Sequence, residues 1–332
     1  MKLSATFTLL AQTLVASIAV VAATPGPLPG SDSVVVRDPA VFFNPDTGKY
    51  FAFSTDESVR IFSAPALTGP WTRTGSVLGK ACSVIDLPLK CNPWAPDVNR
   101  LPDGTFTLYY SVSTLGSQDS AIGLATSPSM EEGTWTDHGA VFSSKPGDPA
   151  NAIDPNLFFD GDKMWMTYGS YWNGMYRLPM KDMMTLDGDL PGTHTAGANG
   201  RPAEGGFLYR PPGSQWIYFL FSDGVTPLGG ATSNPAPGEE YKVRVGRAET
   251  MDGPFLGPQG VDLTVDNRQS GYLLLGSHDN VYAPGGQSLF WDPTANMTVM
   301  GYHYVKASEP IGSPSYLGIN YVSFESGWPE VV

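Results

Sequence analysis

The chain has 332 residues, of which 41% are hydrophobic, 12% aromatic and only 15% charged, enough apolar material for one large core or two small ones. A formal charge of −13 repels polyphosphates and anionic bilayers, so nucleic-acid and membrane-surface binding are excluded as primary roles. With 38 Gly and 30 Pro scattered without a period, helices of ordinary length have little room, and the expected class is all-β.

In chain order, residues 1–23 carry one Lys, an apolar run, and Val21 and Ala23 at the minus-three and minus-one positions of a small-residue cleavage site. This is the pattern of a secretory signal peptide; no basic stop-transfer flank follows, which argues against a membrane anchor. The expectation is a secreted, extracellular protein whose residues 24–33, including the stiff TPGPLPG, form an unstructured lead-in to one domain over 34–332.

Within that domain a unit recurs. A turn followed by an aromatic strand is read at NPDTGKYFAFST (44–55), LPDGTFTLYYSVS (101–113), FDGDKMWMTYGS (159–170), RPPGSQWIYFLFS (210–222) and WDPTANMTVMGYHY (291–304). A second unit, a short strand ending in a Gly-x-Trp or Gly-Pro-aromatic corner, follows at 59–78, 122–142 and 243–258. Five copies of a roughly four-stranded unit predict a five-bladed β-propeller. A β-sandwich also has many short strands, but gives no reason for one unit to recur. Extra length at 78–93, 180–203 and 223–240 is expected to rim one face as loops.

Cys82 and Cys91 are the only cysteines. In an oxidising compartment they read as one disulfide contributing ~2–3 kcal/mol, with two unpaired thiols as the alternative; two thiols alone cannot build a zinc site. Asn296-Met297-Thr298 is an N-glycosylation sequon.

The segment before each turn-plus-strand unit should be the innermost strand. These segments contain Asp38 (VVVRDPAVFF), Trp94 and Asp97 (CNPWAPDVNRL), Asp154 (NAIDPNLFF), Glu204 (RPAEGGFLY), and His278, Asp279 and Gln287 (GSHDNVYAPGGQSLFW). Asp-Pro opens turns, so Asp38 or Asp154 alone is more often structural than catalytic, and Glu204 beside two glycines reads alone as a loop residue. Equivalent placement in successive repeats changes that reading. Three carboxylates meeting in one channel must separate in pKa, which provides an acid and a base at one pH. Glycoside hydrolysis needs that pair.

VRDPAVFF, WAPDV, SQDSAIGLATS, NAIDPNLFFDG, GSYWNG, EGGFLY and NVYAPGGQSLF together resemble family 43 of the glycoside hydrolases, and within it the endo-arabinanase branch, over roughly residues 34 to 305. The resemblance implies an inverting hydrolase of internal α-1,5-L-arabinofuranosyl links. Asp38 would be the general base, Glu204 the general acid, and Asp154 the group that orients the acid and raises its pKa. Base and acid would stand ~6.5–9.5 Å apart, leaving room for a water. It further implies that Trp94, Asn151 and Ser170 line the substrate cleft. No cofactor is implied for the chemistry itself, but a calcium ion near the propeller centre, held largely through waters, is.

His278 is the candidate ligand for that ion, a hydrogen-bonded core imidazole being the alternative. The chain departs from the family by reading Pro284-Gly285-Gly286-Gln287 where relatives carry Pro-Gly-His, and by placing Arg37 before the first Asp where arabinanases carry His. By strand alternation Arg37 is expected to face away from Asp38. The expected partner is a neutral polysaccharide, arabinan or the side chains of pectin, acted on by a monomer. An exo-acting arabinofuranosidase or β-xylosidase, and a non-catalytic carbohydrate-binding propeller, are the competing readings.

Overall fold

The computed structural model describes residues 23–198, 200–265 and 270–332; nearly all of the expected signal peptide, 1–22, lies outside them. Five antiparallel sheets follow one another along the chain. Blade 1 holds β1 (Ala40–Asn44), β2 (Lys49–Ser54), β3 (Arg60–Ala64) and β4 (Thr72–Ser76). Blade 2 holds β5 (Trp94–Arg100), β6 (Phe106–Val112), β7 (Ser120–Ser127) and β8 (Thr136–Ser144). Blade 3 holds β9 (Asn156–Asp160), β10 (Lys163–Tyr168) and β11 (Met175–Asp182), with β12 (Thr185–Leu186) and β13 (Thr193–Ala196) both pairing β11. Blade 4 holds β14 (Ala203–Tyr209), β15 (Ile217–Asp223), β16 (Lys242–Ala248) and β17 (Tyr272–Leu275). Blade 5 holds β18 (Val281–Asp292), β19 (Met297–Lys306), β20 (Tyr316–Ser323) and β21 (Glu330–Val331). The chain is a five-bladed β-propeller.

The aromatic strand of each repeat is the second strand of its blade, and its composition follows from being buried on both faces. All seven residues of β6 are buried. Phe106, Leu108 and Tyr110 point into the cluster shared with Phe51 and Phe53 of blade 1, while Tyr109 joins Leu157 and Met166 of blade 3. Two further clusters join blades 3 to 4 (Met175 with Phe219) and 4 to 5 (Leu220 with Tyr302), and another joins blade 5 to blade 1 (Phe290 with Val41). One apolar cluster therefore fills each junction, as alternation along a strand requires when both faces meet a neighbour. The hairpin turns are locally determined. Asn44 Oδ1 accepts the N–H groups of Asp46 and Thr47 at 2.9 and 3.3 Å, and Gly48 takes a φ of +68° that closes the loop.

The ring closes through residues N-terminal to blade 1. Because β21 pairs only Val322 and Ser323, the rest of the β20 edge is open, and the N-terminal segment covers it. Val36 N donates to Ser315 O (3.1 Å), Leu317 N to Val34 O (3.2 Å) and Leu28 N to Ile319 O (2.7 Å). Asn320 Nδ2 holds Gly26 O at 2.9 Å. The lead-in expected to be unstructured is thus docked, since an unpaired strand edge offers it hydrogen bonds that solvent alone would otherwise make.

The three insertions behave differently from one another. Residues 180–203 build β12 and β13 onto the outside of blade 3 rather than a rim, because β11 has a free outer edge to pair. Residues 78–93 pack Leu78 and Ile85 into the first interblade cluster, and Cys82 and Cys91 are disulfide-bonded to each other. Only 223–240 reaches the central cavity directly, through Val225, Thr226, Leu228 and Gly229.

Candidate active site

The five inner strands share one device, at or near the strand start in blades 1 to 4 and within β18 in blade 5. At each, a residue in the left-handed region sends its N–H to a side chain of the preceding blade. The residues are Asp38 (φ +46°), Ala95 (+44°), Asp154 (+54°), Gly205 (+65°) and Gly286 (+58°). Asp38 N donates to His303 Nδ1 of blade 5 at 3.1 Å, Ala95 N to Thr55 Oγ1 of blade 1 at 3.0 Å, and Asp154 N to Ser111 Oγ of blade 2 at 3.0 Å. Gly286 N donates to Ser222 Oγ of blade 4 at 2.8 Å. In blade 3 the position opposite Asp154 is Gly169, which has no side chain to offer. Asp154 itself fills the gap, its Oδ2 accepting Gly205 N at 3.1 Å.

A left-handed conformation costs a non-glycine residue roughly 1 kcal/mol or more, and a following proline disfavours it further. At Asp38-Pro39 and Asp154-Pro155 the buried N–H acceptors hold that strained geometry. Its effect is to turn both carboxylates out of strand alternation and into the channel.

The channel widens into a cavity of about 620 Å³ bordered by Asp38, Asp154 and Glu204 from blades 1, 3 and 4. Trp94 and Tyr171 form aromatic parts of its wall, and Leu115 and Leu228, 75% and 43% exposed, stand on the rim from blades 2 and 4. Asp38 is held by Thr55, whose hydroxyl donates to Oδ2 at 2.8 Å. Glu204 Oε1 accepts a hydrogen bond from Tyr241, and the Ser170 hydroxyl also bonds to Glu204.

Burial is the first cause pushing Glu204 up to about 7, and the charge of Asp38 is the second; Arg37 and the Ser170 hydrogen bond oppose them. Asp154 is raised well above the usual carboxylate range by burial, then by repulsion from Glu204 and Asp38, against the Gly205 N–H. Two such carboxyls cannot both ionise freely in one desolvated site. The cavity therefore holds a protonated acid near neutrality, raised in the first place by burial and Asp38, while Asp154 grips the peptide that follows it.

Several expected positions need correction. Arg37 does not face away from Asp38. It borders the cavity, with Nε 3.7 Å from Asp38 Oδ2 and Nη1 3.4 Å from Pro227 O, because β1 begins only at Ala40 and alternation does not govern a left-handed residue. Ser170 is buried behind the acid rather than in the cleft wall, and Asn151 is buried and does not border the cavity.

His278 sits in the tight turn before β18, where its Nδ1 bonds Gly276 O at 2.9 Å, and it does not border the cavity. The imidazole packed against Asp38 and Gly286 is His303, which is buried and does not itself border the cavity. Its Nδ1 receives the Asp38 N–H, its Nε2 lies 3.4 Å from Thr226 Oγ1, and burial lowers it to about 4, so it is neutral. Among the described residues no group of three or more His, Cys, Asp or Glu is placed to hold a metal, and His278, the expected ligand, lies off the cavity with its Nε2 buried and without a hydrogen-bond partner. A side chain at Gly286 would meet Asp38 Oδ1 and His303 Nδ1, each 2.7 Å from its Cβ, so the imidazole of His303 and a side chain at 286 exclude one another.

Sequence reasoning missed His303, Tyr241, Thr55 and Tyr171. For His303 a signal existed, an ionisable residue within an otherwise apolar second strand, GYHYV. Tyr241 and Thr55 carried none, since their roles arise from contacts between blades.

Three carboxylates from separate blades, two of them raised above the usual carboxylate range, around a cavity walled by aromatic rings define a glycoside hydrolase. The chain belongs to the family described as glycosyl hydrolases family 43, whose sequence profile matches residues 33–329. It is similar to the probable arabinan endo-1,5-alpha-L-arabinosidase A of Aspergillus clavatus, at 43% identity over 93% of this chain and 94% of that one. It is also similar to arabinan endo-1,5-alpha-L-arabinosidase A of Aspergillus aculeatus, at 41% identity over 98% of each. Among solved structures, an exo-1,5-alpha-L-arabinanase from a bovine ruminal metagenomic library superposes with a TM-score of 0.78 at 27% identity, covering 92% of this chain and 99% of that one.

Proposed function

We propose that this chain hydrolyses internal α-1,5-L-arabinofuranosyl links of arabinan by single displacement with inversion. The observation that carries the proposal is the sharing of one cavity by Asp38, Asp154 and Glu204, with Glu204 raised to about 7. Asp38 takes a proton from a water as that water's oxygen attacks the anomeric carbon. Glu204 gives its proton to the departing O5 of the next sugar, and the bond from the anomeric carbon to that oxygen breaks. Asp154 aims Glu204 through its bond to Gly205 N. The faces of Trp94 and Tyr171 suit the apolar sides of furanose rings, and Arg37 offers N–H donors to ring hydroxyls beside the base.

The arabinan reading is supported by the fungal relatives, which are named for that polymer and covered almost end to end. Secretion rests on the pattern of residues 1–23, and among the described residues no helix is long and apolar enough to cross a membrane. We take the protein to act as a monomer on a neutral polymer.

Product analysis on debranched arabinan tests the proposal. Mixed oligosaccharides with a rapid fall in viscosity are expected, and Asp38→Ala should abolish both. Likeness to an exo-acting enzyme favours a second reading, in which release of one small product from chain ends dominates from the first minutes. Absence of hydrolysis of arabinan, arabinoxylan and aryl glycosides by the wild type would reject both.

A further inference from the structure

Thr55 stands opposite Asp38 at the end of β2 and is only 4% exposed. Its hydroxyl is used twice: it donates to Asp38 Oδ2 at 2.8 Å and accepts Ala95 N at 3.0 Å, next to Trp94. One buried hydroxyl thus ties the carboxylate of blade 1 to the aromatic wall of blade 2, and solvent has little access to replace it.

Thr55 N donates to Arg37 O at 3.1 Å within blade 1, and the turn that follows it carries the chain from the cavity edge to the disulfide loop. The four residues after it, Asp56, Glu57, Ser58 and Val59, have φ values of +76°, +47°, +62° and +61°, and none is glycine. A complete left-handed turn of L-residues does not support itself, because each Cβ crowds the following carbonyl. Its N–H groups are held from one short stretch: Asp56 N donates to Pro93 O (2.9 Å), Glu57 N to Asn92 Oδ1 (3.3 Å) and Ser58 N to Cys91 O (2.8 Å). Those three acceptors follow one another directly at the end of the loop closed by Cys82–Cys91. Across that loop runs one backbone hydrogen bond, Ser83 N to Lys90 O at 3.0 Å, beside the disulfide itself.

We propose that Thr55 is a positioning residue for the base, and that the disulfide-closed loop sets its place by supporting the left-handed turn 56–59. The disulfide then belongs to the catalytic apparatus, in addition to constraining the unfolded chain. The inference rests on the reading of Asp38 as base given above.

The test measures kcat and KM on debranched arabinan for Thr55→Val, Thr55→Ser, Asp38→Ala, and wild type and Thr55→Val before and after reduction of the disulfide, with thermal unfolding confirming a folded state. Thr55→Val should lower kcat about tenfold or more with KM within about twofold, and Thr55→Ser, which keeps both hydrogen bonds, should restore it to within about threefold. Reduction of the wild type should lower kcat in the same direction, yet add little to Thr55→Val, because coupled groups acting through one contact are not additive. If reduction unfolds the protein, Cys82→Ser with Cys91→Ser replaces it in the same comparison.

Wild-type kcat in Thr55→Val overturns the positioning role. Losses from reduction and from Thr55→Val that simply multiply overturn the link between loop and base. An Asp38→Ala enzyme as active as wild type would remove the base assignment itself, an outcome distinct from either.

Discussion

Replacing Glu204 by Gln separates the two consequences of its burial. Gln keeps the shape of the side chain and an oxygen for Tyr241, but it can neither ionise nor transfer a proton. Displacement of the carboxyl from 4.5 to about 7 corresponds to about 3 kcal/mol between the two protonation states. The sign follows from proton counting. Below pH ~4.5 both folded and unfolded chains hold the proton, and the shift has no effect. Between ~4.5 and ~7 the unfolded chain releases it while the folded chain retains it, so stability falls as pH rises. Above ~7 the full cost of an ionised, desolvated carboxylate is present. Glu204→Gln should therefore leave stability nearly unchanged at pH 4 and raise it by up to about 3 kcal/mol at pH 8.5, roughly 4–6 °C in the unfolding midpoint of a domain this size. Its activity should fall at every pH, and most on arabinan, whose leaving oxygen is a poor leaving group. An aryl arabinofuranoside with an acidic phenol should lose least. Paired calorimetry at the two pH values and rates on the two substrates are the assays. A variant destabilised at pH 8.5, or one losing equally on both substrates, would refute the argument.

Wild-type kcat/KM should decline as pH passes about 7, since the acid must be protonated to act; a pH–rate profile flat from 6 to 9 contradicts this. Gly286→Ala should cost at least tenfold in kcat, because its Cβ meets Asp38 and His303 at 2.7 Å; wild-type rates on arabinan would show that the channel floor yields. Asp97→Ala strips the acceptor from Asn99 Nδ2, Asn156 Nδ2 and Leu157 N, all within 3.0 Å, and should destabilise by about 3 kcal/mol or more in urea titration. Arg247, stacked between the rings of Trp216 and Trp328 at 4.1 and 4.4 Å, lies away from the cavity. Arg247→Ala should cost about 1–3 kcal/mol of stability while kcat stays within twofold.

The propeller was legible because its repeat is local. NPDTGKYFAFST and LPDGTFTLYYSVS each encode a turn and a strand buried on both faces, and five copies constrain the architecture. The shared cavity of the carboxylates was legible because Asp38 and Asp154 hold the same place in that repeat and Glu204 lies one residue before it. Arg37 was misread because alternation was applied to a stretch whose backbone is left-handed, a conformation stabilised by His303, 265 residues away. GSHDN marks His278 by its place in a motif, while nothing in that motif points to His303. What distinguishes them is which imidazole meets Asp38, a matter of packing between blades 1 and 5. Tyr241 and Thr55 could not be found at all, since nothing within their own segments records the partner that each meets in the ring.

The docking of residues 26–36 on β20 bears on the order in which the enzyme is made. The segment that opens blade 1 is synthesised well before the edge it covers, residues 315–319. Until blade 5 is made the Asp38 N–H lacks the imidazole of His303, and the first carboxylate is held from within blade 1, by Thr55. Domains generally fold as units during synthesis. Here a truncated nascent chain, however well its early blades have collapsed, is without a completed base. On the proposed reading of Asp38, hydrolytic competence would wait for blade 5.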